Sequence, residues 1–290
     1  MEIIRTIEWM KQVARQARSE GRVAGLVPTM GALHAGHFSL VEAARRETSP
    51  VIVSIFVNPK QFAPGEDYAR YPRTIEADRE ALERIGADIL FAPTVEEMYP
   101  PGFRTAVSVE GLGDRLEGRV RPGHFRGVAT VVLKLLEICA PRFAYFGRKD
   151  AQQAQLIRQM AQDLSLDLEI VVCPIVRESD GLAMSSRNVY LSPSERSAAT
   201  VLYRALDAAR KAIVAGERDA VRLVAAAREV LASEPLAKPD YVEVVDGDSF
   251  DTIARVRGKC LMVLAARFGA TRLIDNLLTE VDEGPARCEL

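Results

Sequence analysis

Hydrophobic positions follow two alternating patterns through the first 176 residues of the chain. Segments with apolar residues three and four positions apart are typical of helices, and short runs rich in β-branched residues are typical of strands. The strand-like runs are apolar along their whole length, as parallel strands covered by helices on both faces are. The pattern therefore predicts a doubly wound parallel α/β sheet. Strands are predicted at 22–27, 51–57, 87–93, 142–147 and 168–176, and helices at 37–47, 74–86, 128–140 and 151–164.

The pattern changes after residue 176. Two long Ala-rich helical patterns cover about 195–216 and 218–233, and two apolar runs follow them at 240–247 and 259–269. Ser192 suits the N-cap before the first of these helices, because Pro193 then takes the first helical position and Glu195 completes a capping box. We expect a sheet domain at 1–176 and a smaller α+β domain at 177–290.

The composition is ordinary for a soluble globular protein. Of 290 residues, 48% are hydrophobic and 27% are charged, and the net charge is −2. Because neither sign of charge is in large excess, nothing in the composition indicates a nucleic-acid or membrane partner. Any site for an anion must therefore be built locally.

Three features predict a cytoplasmic location. The first 22 residues have helical periodicity with charges throughout, and they lack the apolar segment of a signal peptide. No later apolar run approaches the length of a membrane span. The four cysteines are far apart and show no CxxC spacing, so we interpret them as reduced core thiols rather than disulfide or metal ligands. These cysteines are Cys139, Cys173, Cys260 and Cys288.

Two of the three histidines, His34 and His37, lie three positions apart in "VPTMGALHAGH", between the first predicted strand and the first predicted helix. In an open α/β sheet, ligands bind beyond the carboxyl ends of the strands, where helix N-termini present N–H groups. Gly31 and Gly36 permit close backbone approach there, and residues three apart face the same side of a helix. The stretch predicts a phosphate site, and the alternative is two surface histidines in a loop.

Two later segments offer further groups for a polyphosphate. "FGRKDAQQ" places Lys149 and Asp150 at a helix start after another strand. A lysine meets phosphate as a point charge, whereas an aspartate either accepts bonds from ribose hydroxyls or caps its own helix. "AMSSRN" brings Ser185, Ser186 and Arg187 together, a donor set that suits phosphate oxygens. A plain serine-rich loop is the alternative for that segment.

Walls of a substrate pocket are expected at "VNPKQF" and "LEGRVRPGHFRG". The first stretch ends a strand with a Pro turn and carries Gln61, whose side-chain amide we expect to be buried at the pocket wall. The alternative is that this amide only forms a hydrogen bond with the backbone. The second stretch holds the third histidine, His124, with Arg119, Arg121 and Arg126. Its alternative is a solvated basic loop before a helix.

Taken together, these segments resemble the pantoate–β-alanine ligase family of the HxGH nucleotidyltransferase superfamily. The matching motifs are "PTMGALHAGH", "VSIFVNPKQF", "YPRT", "RPGHFRGV", "FGRKDAQQ" and "VRESDGLAMSSRN", in the family's order and spacing over nearly the whole chain. This combination is far more specific than HxGH alone. The resemblance implies a Rossmann-like nucleotidyltransferase domain followed by a smaller lid domain.

The resemblance also implies the activity of an ATP-dependent, amide-forming ligase of coenzyme A biosynthesis. In that family, the carboxylate of (R)-pantoate attacks the α-phosphorus of Mg-ATP to give pantoyl adenylate and pyrophosphate. The amine of β-alanine then displaces AMP and forms pantothenate. ATP as a substrate, Mg²⁺, small-molecule substrates and a homodimer are therefore expected, and the sequence does not identify metal ligands.

Site residues carry over from the family position by position. The pantoate amides fall on Gln61 and Gln153, with Gln61 also near β-alanine, and His37 takes the place usually called the proton donor. The ATP contacts fall on four segments. They are Met30, Gly31, Ala32, Leu33, His34, Ala35, Gly36 and His37; Gly147, Arg148, Lys149 and Asp150; Val176; and Met184, Ser185, Ser186 and Arg187.

Elementary chemistry agrees with this division of roles. A carboxyl group with an unperturbed pKa of about 4 is ionised near pH 7, so the first step needs no general base. It needs positive groups that neutralise charge on the α-phosphate and the departing pyrophosphate. We assign that catalytic role to His34, His37, Lys149 and Arg187. The second step needs β-alanine as a free amine, and no residue is an obvious base for it.

Two positions depart from the family pattern. Lys60 stands where an uncharged residue is commoner, and Phe38 stands where leucine is usual. The first predicts extra positive charge near the pantoate pocket, and the second predicts a change in packing. An acyl adenylate must also be shielded from water, and the candidates for closure are the second domain and the polar loop 63–74.

Two other functions stay open at this point. One is another HxGH adenylyltransferase that passes AMP to a phosphate-bearing acceptor and stops. The other is a nucleotide-binding regulatory protein that has kept only the fold. The paired glutamines and "RPGHFRG" favour the ligase, and the complete set of ATP-contacting positions argues against the regulatory protein.

Overall fold

The computed structural model describes residues 1–282 and 285–290 of the chain. By their contacts these residues form two units. The N-terminal unit comprises Met1–Arg148 and Gln152–Pro174, and the C-terminal unit comprises Lys149–Ala151 and Ile175–Leu290. The first contains a parallel sheet with helices and the second contains helices with an antiparallel sheet, which confirms the predicted fold class.

The N-terminal unit alternates strands and helices. Its strands are β1 Glu2–Ile4, β2 Gly25–Thr29, β3 Val51–Ile55, β4 Ile89–Phe91, β5 Phe143–Gly147 and β6 Glu169–Cys173. Its helices are α1 Ile7–Ser19, α2 Ala35–Glu47, α3 Ile75–Ile85, α4 Val95–Met98, α5 Glu117–Val120, α6 His124–Cys139 and α7 Ala151–Asp163, of which Ala151 belongs to the C-terminal unit by its contacts. Short 3₁₀ turns cover Pro59–Gln61, Leu112–Asp114 and Arg148–Asp150.

Within the described residues, the six strands of this unit form one parallel sheet in the order β1-β4-β3-β2-β5-β6. From β2 the chain continues to β3 and β4 on one side, whereas β5 and β6 lie on the other. The direction of winding therefore reverses between β2 and β5, which are hydrogen-bonded neighbours. Such a switch point is where open α/β sheets bind ligands, beyond the carboxyl ends of the strands.

Both faces of the parallel sheet are covered. Leu26 and Val27 are consecutive in β2 and both are 0% exposed, although consecutive strand residues point to opposite faces. On one face, Val27 packs in a cluster with Leu40 and Val41 of α2. This double burial explains why the strands read as continuous apolar runs in the sequence.

The N-terminal segment differs from its predicted helical pattern. Residues Glu2–Ile4 form an edge strand that pairs with β4 in parallel, and the helix starts only at Ile7, after the N-cap Thr6. The pairing joins residues that are far apart in the chain, such as Ile3 and Leu90. A three-residue strand leaves no periodicity of its own, so only the tertiary partner reveals it.

The C-terminal unit packs helices on an antiparallel sheet. Its helices are α8 Pro193–Ala198, α9 Val201–Val214 and α10 Ala220–Ala232, and its strands are β7 Ala237–Asp246, β8 Gly258–Phe268, β9 Thr271–Val281 and β10 Arg287–Glu289. Leu202, Leu206 and Leu223 of the helices share a buried cluster with Leu264 and Leu277 of the sheet. The strand order over the described residues is β10-β9-β8-β7.

The predicted capping box at Ser192 is confirmed. The Glu195 N–H donates to Ser192 Oγ over 3.3 Å, and the Ser192 N–H donates to Glu195 Oε2 over 2.8 Å. The helix pattern from 195 to 216 is however split at Ala199 and Thr200 into α8 and α9. The sequence does not predict strand β9, because Asp275 and Asn276 interrupt its apolar pattern in the middle.

Gly127 of α6 lies where the helix packs on the Pro59–Gln61 turn. A Cβ at this position would overlap the carbonyl oxygen of Lys60 and lie 2.6 Å from the Gln61 nitrogen. Because both atoms belong to the backbone, neither can rotate away. We expect Gly127→Ala to lower the free energy of unfolding by about 1–3 kcal/mol, measured by urea denaturation.

Gly113→Ala is the matched control for that substitution. A Cβ there would make ordinary contacts of 3.8 Å with Leu156 and Phe125. Its unfolding free energy should stay within about 0.5 kcal/mol of the parent. Equal losses of unfolding free energy in the two variants would show that the short distances at Gly127 impose no specific steric penalty.

Candidate active site

The histidine pair lies at the end of β2, beside the switch point. His34 is the N-cap of α2 and His37 is in the first helical turn, with ring centroids 4.1 Å apart. The Gly36 N–H donates to His34 Nδ1 over 3.2 Å, and the His34 N–H donates to His37 Nδ1 over 3.3 Å. Because each Nδ1 accepts a bond, the proton of each neutral ring is on Nε2. The pair thus carries two Nε2–H donors at a helix N-terminus.

The turn before the histidines is fixed by a buried carboxylate that was not singled out from the sequence. Asp78 of α3 is 4% exposed and accepts bonds of 2.9 Å from the N–H groups of both Ala32 and Leu33. The Thr74 hydroxyl donates to the same carboxylate over 3.1 Å. Ala32 has a positive φ of 52°, an unusual conformation for alanine, and the carboxylate holds it.

A signal for Asp78 is present in the sequence. Ile75, Leu82 and Ile85 lie on the apolar stripe of α3, and Asp78 occupies the same stripe. A charged residue at a core position needs polar partners, because burying it without them is costly. The stripe predicts that Asp78 meets polar donors, but it does not indicate which ones.

Gln61 is held by the side chains of Asn58, the N-cap of the 3₁₀ turn, and Met30, the residue after β2. It is 8% exposed, and its Oε1 accepts a 3.0 Å bond from Asn58 Nδ2. Its Nε2 lies 3.1 Å from the sulfur of Met30. The side-chain amide therefore bonds to Asn58 and Met30 rather than to the backbone. Asn58, itself 1% exposed, was not singled out from the sequence either.

His124 is a buried, neutral support for the Gln61 backbone. Its Nδ1 lies 2.8 Å from the Gln61 carbonyl oxygen, which only accepts, so Nδ1 carries the proton. Nε2 faces Arg121 Nη1 at 3.1 Å and accepts from it. Burial, and then the nearby Arg121 charge, lower the pKa of His124 to about 4. The ring is therefore uncharged at neutral pH.

The polar loop 63–74 is tied to Arg121 by an ion pair. Arg121 Nε and Nη2 each lie 2.8 Å from a carboxylate oxygen of Glu66. Burial acts to raise the pKa of Glu66, but the bonds and charge of Arg121 outweigh it and hold the pKa below its ordinary value. Arg119, Arg121 and Arg126 are thus not one solvated patch, since Arg121 is committed to this pair.

Neighbouring glutamines at the start of α7 differ in their burial. Gln152 is 6% exposed and bonds to the Glu117 N–H and to the carbonyl oxygens of Leu112 and Arg115. Its role is to hold the α5 region. Gln153 is half-buried. The residue assigned to pantoate is thus the more accessible of the two.

The Lys60 side chain, predicted to add positive charge near the pantoate pocket, packs against two aromatic rings. Its ammonium is 5.0 Å from the centre of the Tyr99 ring and 5.3 Å from that of Phe103. Such contacts with aromatic faces attract cations. The lysine therefore packs on the aromatic residues that follow α4.

The residues after β5 lie in a 3₁₀ turn. Gly147 ends the strand, and Arg148–Asp150 form the turn before α7. Arg148 is buried, and the Lys149 ammonium lies 3.9 Å from an Asp150 carboxylate oxygen. By their contacts, Lys149 and Asp150 belong to the C-terminal unit. Within that unit, Asn276 Nδ2 donates to the Lys149 carbonyl over 3.1 Å.

The remaining predicted ATP contacts of the C-terminal unit lie between residues 176 and 187, near the start of the long segment Ile175–Leu290. The Met184 N–H donates to the Val176 carbonyl over 3.0 Å, and Arg177 forms a bridge with Ala183. Ser185 then caps the 3₁₀ turn Ser186–Tyr190, which contains Ser186 and Arg187. A hairpin of backbone bonds thus brings these residues into one short stretch.

A buried ion pair anchors that hairpin. Arg177 donates to both carboxylate oxygens of Asp275 at 2.7 and 3.0 Å, and the Asp275 side chain is 1% exposed. Bidentate pairs of this kind fix orientation as well as contributing energy. The sequence contains a signal for the buried polar roles of Asp275 and Asn276, because these two residues interrupt the apolar pattern of β9.

Two kinds of feature are absent from residues 1–282 and 285–290. No helix in this part of the chain combines the length and the apolar character needed to cross a membrane. Nor do three or more His, Cys, Asp or Glu side chains of these residues cluster as a possible metal site.

The Asp78 clamp has a measurable consequence. Asp78→Ala removes the carboxylate that accepts from the Ala32 and Leu33 N–H groups, so we expect a loss of about 1–3 kcal/mol in the free energy of unfolding. Hydrogen exchange in a peptide covering 30–37 should become faster. The control Asp163→Ala removes an exposed carboxylate that accepts a bond from Gln159, and it should change neither quantity. Unchanged exchange in Asp78→Ala would contradict the clamp.

Comparison with known proteins gives one consistent family. A family model described as pantoate-beta-alanine ligase matches residues 2–278. The chain is 53% identical over 280 residues to a pantothenate synthetase of Caldicellulosiruptor bescii, with 97% of this chain and 99% of the relative covered. It is 57% identical over 280 residues to that of Roseiflexus castenholzii, with 97% and 100% covered.

Solved structures agree in fold. A crystal structure of pantothenate synthetase from Thermus thermophilus superposes with a TM-score of 0.91 at 48% identity, covering 95% of this chain and 98% of the other. The ligase of Francisella tularensis, in complex with an ATP ligand and β-alanine, superposes with a TM-score of 0.77 at 35% identity, covering 95% and 97%. The chain belongs to the pantoate–β-alanine ligase family.

Proposed function

We propose that the chain, as a member of this ligase family, condenses (R)-pantoate with β-alanine at the expense of ATP to give pantothenate, AMP and pyrophosphate. The observation that carries the proposal is the His34–His37 pair at the end of β2, beside the reversal of the sheet order. Nucleotide phosphates bind at such helix N-termini. The ATP and β-alanine complex of the Francisella tularensis relative supports the same substrates.

The first step forms pantoyl adenylate. The pantoate carboxylate attacks the α-phosphorus as an anion, and pyrophosphate leaves with the bond's electron pair. The Nε2–H groups of His34 and His37 donate to phosphate oxygens as negative charge develops there, and Lys149 and Arg187 add fixed positive charge. These four residues are the proposed catalytic set. ATP enters as its Mg²⁺ complex, in which the phosphates and water hold the metal.

The second step forms the amide. The neutral amine of β-alanine attacks the acyl carbon of the adenylate, and the bond from that carbon to the AMP oxygen breaks, so that AMP leaves with the electron pair. The nitrogen loses one proton, which passes to the departing phosphate or to water. In this proposal Gln61 and Gln153 bind pantoate through their amides. The nucleotide lies along the Met30–His37, Gly147–Asp150 and Met184–Arg187 segments and against Val176.

Closure and assembly complete the proposal. Residues 1–176 bind nucleotide and pantoate, and residues 177–290 act as a lid, because a reactive acyl adenylate must be kept from water. The family resemblance supports a homodimer, and the four scattered cysteines without CxxC spacing support a cytoplasmic location. Identical domain positions with and without ATP in solution scattering would contradict the lid.

One assay separates this ligase from an adenylyltransferase that stops after transferring AMP. Pyrophosphate release from Mg-ATP is followed with pantoate, with and without β-alanine, while AMP and amide products are separated by chromatography. The ligase requires pantoate-dependent pyrophosphate and forms AMP and pantothenate in sustained turnover only when β-alanine is present. Absence of pantoate-dependent release from folded, ATP-binding protein would overturn the proposal.

His37→Ala and Lys149→Ala should each slow pyrophosphate release by about a hundredfold or more, because each removes a group that stabilises developing charge. Urea denaturation should show little loss of folding stability. Lys211→Ala is the control, since this lysine is 70% exposed and pairs with Asp207. A rate within a few-fold of the parent refutes the role of the residue concerned.

Gln153→Ala should raise the KM for pantoate by about tenfold, the size expected for one hydrogen bond, and leave the KM for ATP nearly unchanged. Gln159→Ala, on the same helix, removes a partly exposed amide that bonds to Asp163 and should change neither constant. Equal increases for both substrates would exclude a specific contact with pantoate.

A further inference from the structure

We propose that Tyr99 is a positioning residue for pantoate: its hydroxyl fixes the amide of Asn58, and Asn58 in turn sets which end of the Gln61 amide meets the substrate. The inference rests on the proposed function of Gln61. It concerns a residue that lies outside every motif of the family resemblance, in the segment after α4. The Tyr99 hydroxyl donates to Asn58 Oδ1 over 2.8 Å.

Backbone groups decide which end of the Asn58 amide is the oxygen, and the shorter bond from the Tyr99 hydroxyl holds that oxygen in place. The Lys60 N–H donates to Oδ1 over 3.2 Å, and Nδ2 donates to the carbonyl oxygen of Gly127 over 3.1 Å. A backbone N–H only donates and a carbonyl only accepts, so exchanging the amide oxygen and nitrogen would break both bonds. Asn58 is also 1% exposed, and water cannot replace these partners easily.

This orientation determines that of Gln61. The same Nδ2 of Asn58 lies 3.0 Å from Gln61 Oε1, and a donor there requires an acceptor on Gln61. The oxygen of the Gln61 amide is therefore occupied, and its NH₂ group points elsewhere. That group lies 3.1 Å from the Met30 sulfur, which is a weak acceptor. An ionised carboxylate or a hydroxyl oxygen of pantoate is a better partner for the same N–H.

Tyr99 suits its role as a fixed donor. Burial raises the pKa of Tyr99 well above the ordinary range of tyrosine, so the phenol keeps its proton at neutral pH. The ring is packed by other groups: the centroids of Phe103 and Phe56 lie at 5.0 and 6.0 Å, and the Lys60 ammonium at 5.0 Å. Removal of the hydroxyl alone therefore leaves the ring contacts in place.

Loss of the hydroxyl acts on Gln61 through one atom. Asn58 Oδ1 then loses its shorter bond and keeps the longer one from the Lys60 N–H, so the Asn58 amide is less firmly held. As a result, the Gln61 amide has the orientation that presents its N–H to pantoate in a smaller fraction of the variant molecules than of the parent molecules. A binding-competent state that is populated less often weakens the apparent affinity by that fraction.

The test is Tyr99→Phe, with steady-state constants measured for pantoate and for ATP. We expect the KM for pantoate to rise by about three- to tenfold, the effect of one neutral hydrogen bond. The KM for ATP and kcat should change by less than about twofold. Tyr145→Phe is the matched control, because it removes a phenol hydroxyl from a buried residue of β5 and should leave all three constants unchanged.

A double-mutant cycle with Gln61→Ala distinguishes positioning from a structural effect. If Tyr99 acts through Gln61, Tyr99→Phe changes the pantoate KM by less than about 1.5-fold once Gln61 is alanine. The same three- to tenfold factor in both backgrounds overturns the inference. An unchanged pantoate KM in the single variant Tyr99→Phe also overturns the inference. If Gln61→Ala nevertheless raises the pantoate KM, the proposed function of Gln61 stands. An unchanged KM in Gln61→Ala refutes both.

Discussion

The conformation of the candidate site depends on one buried carboxylate that accepts hydrogen bonds from two backbone N–H groups. Asp78 accepts from Ala32 and Leu33, so the chain turns sharply after β2 and enters α2 at His34. Loss of an acceptor for buried donors costs an amount comparable to a sizeable part of a protein's net stability. The position of both histidine rings relative to the sheet depends on this turn.

The buried amides of Asn58 and Gln61 follow the same physical rule. Buried polar groups must be paired, and a backbone donor or acceptor cannot change its role. The Asn58 amide is therefore oriented by the Lys60 N–H and the Gly127 carbonyl, and it passes that orientation to Gln61. Gly127 permits this arrangement because a Cβ would occupy the place of the Lys60 carbonyl.

Charge is used sparingly around these amides. His124 stays neutral because burial and Arg121 lower its pKa, so it donates to the Gln61 carbonyl without adding charge. Arg121 is in turn paired with Glu66. In the C-terminal unit, Arg177 and Asp275 neutralise one another beside the hairpin that carries Met184. Each of these two arginines is paired within its own unit, so neither belongs to the set of charges proposed for phosphate binding.

The sequence by itself determined the features that depend on neighbouring residues. Apolar runs predicted five of the strands of the parallel sheet, the Ser192 capping box was readable, and the histidine pair was placed correctly at a helix start. Only the tertiary structure decided the strand order, strand β1, and the contacts of Asp78 and Tyr99. Asp78 meets Ala32 across 46 positions and Tyr99 meets Asn58 across 41, and no local periodicity records such partners. Local spacing controls helices and strands, whereas the pairing of buried polar groups depends on which distant segments the fold brings together.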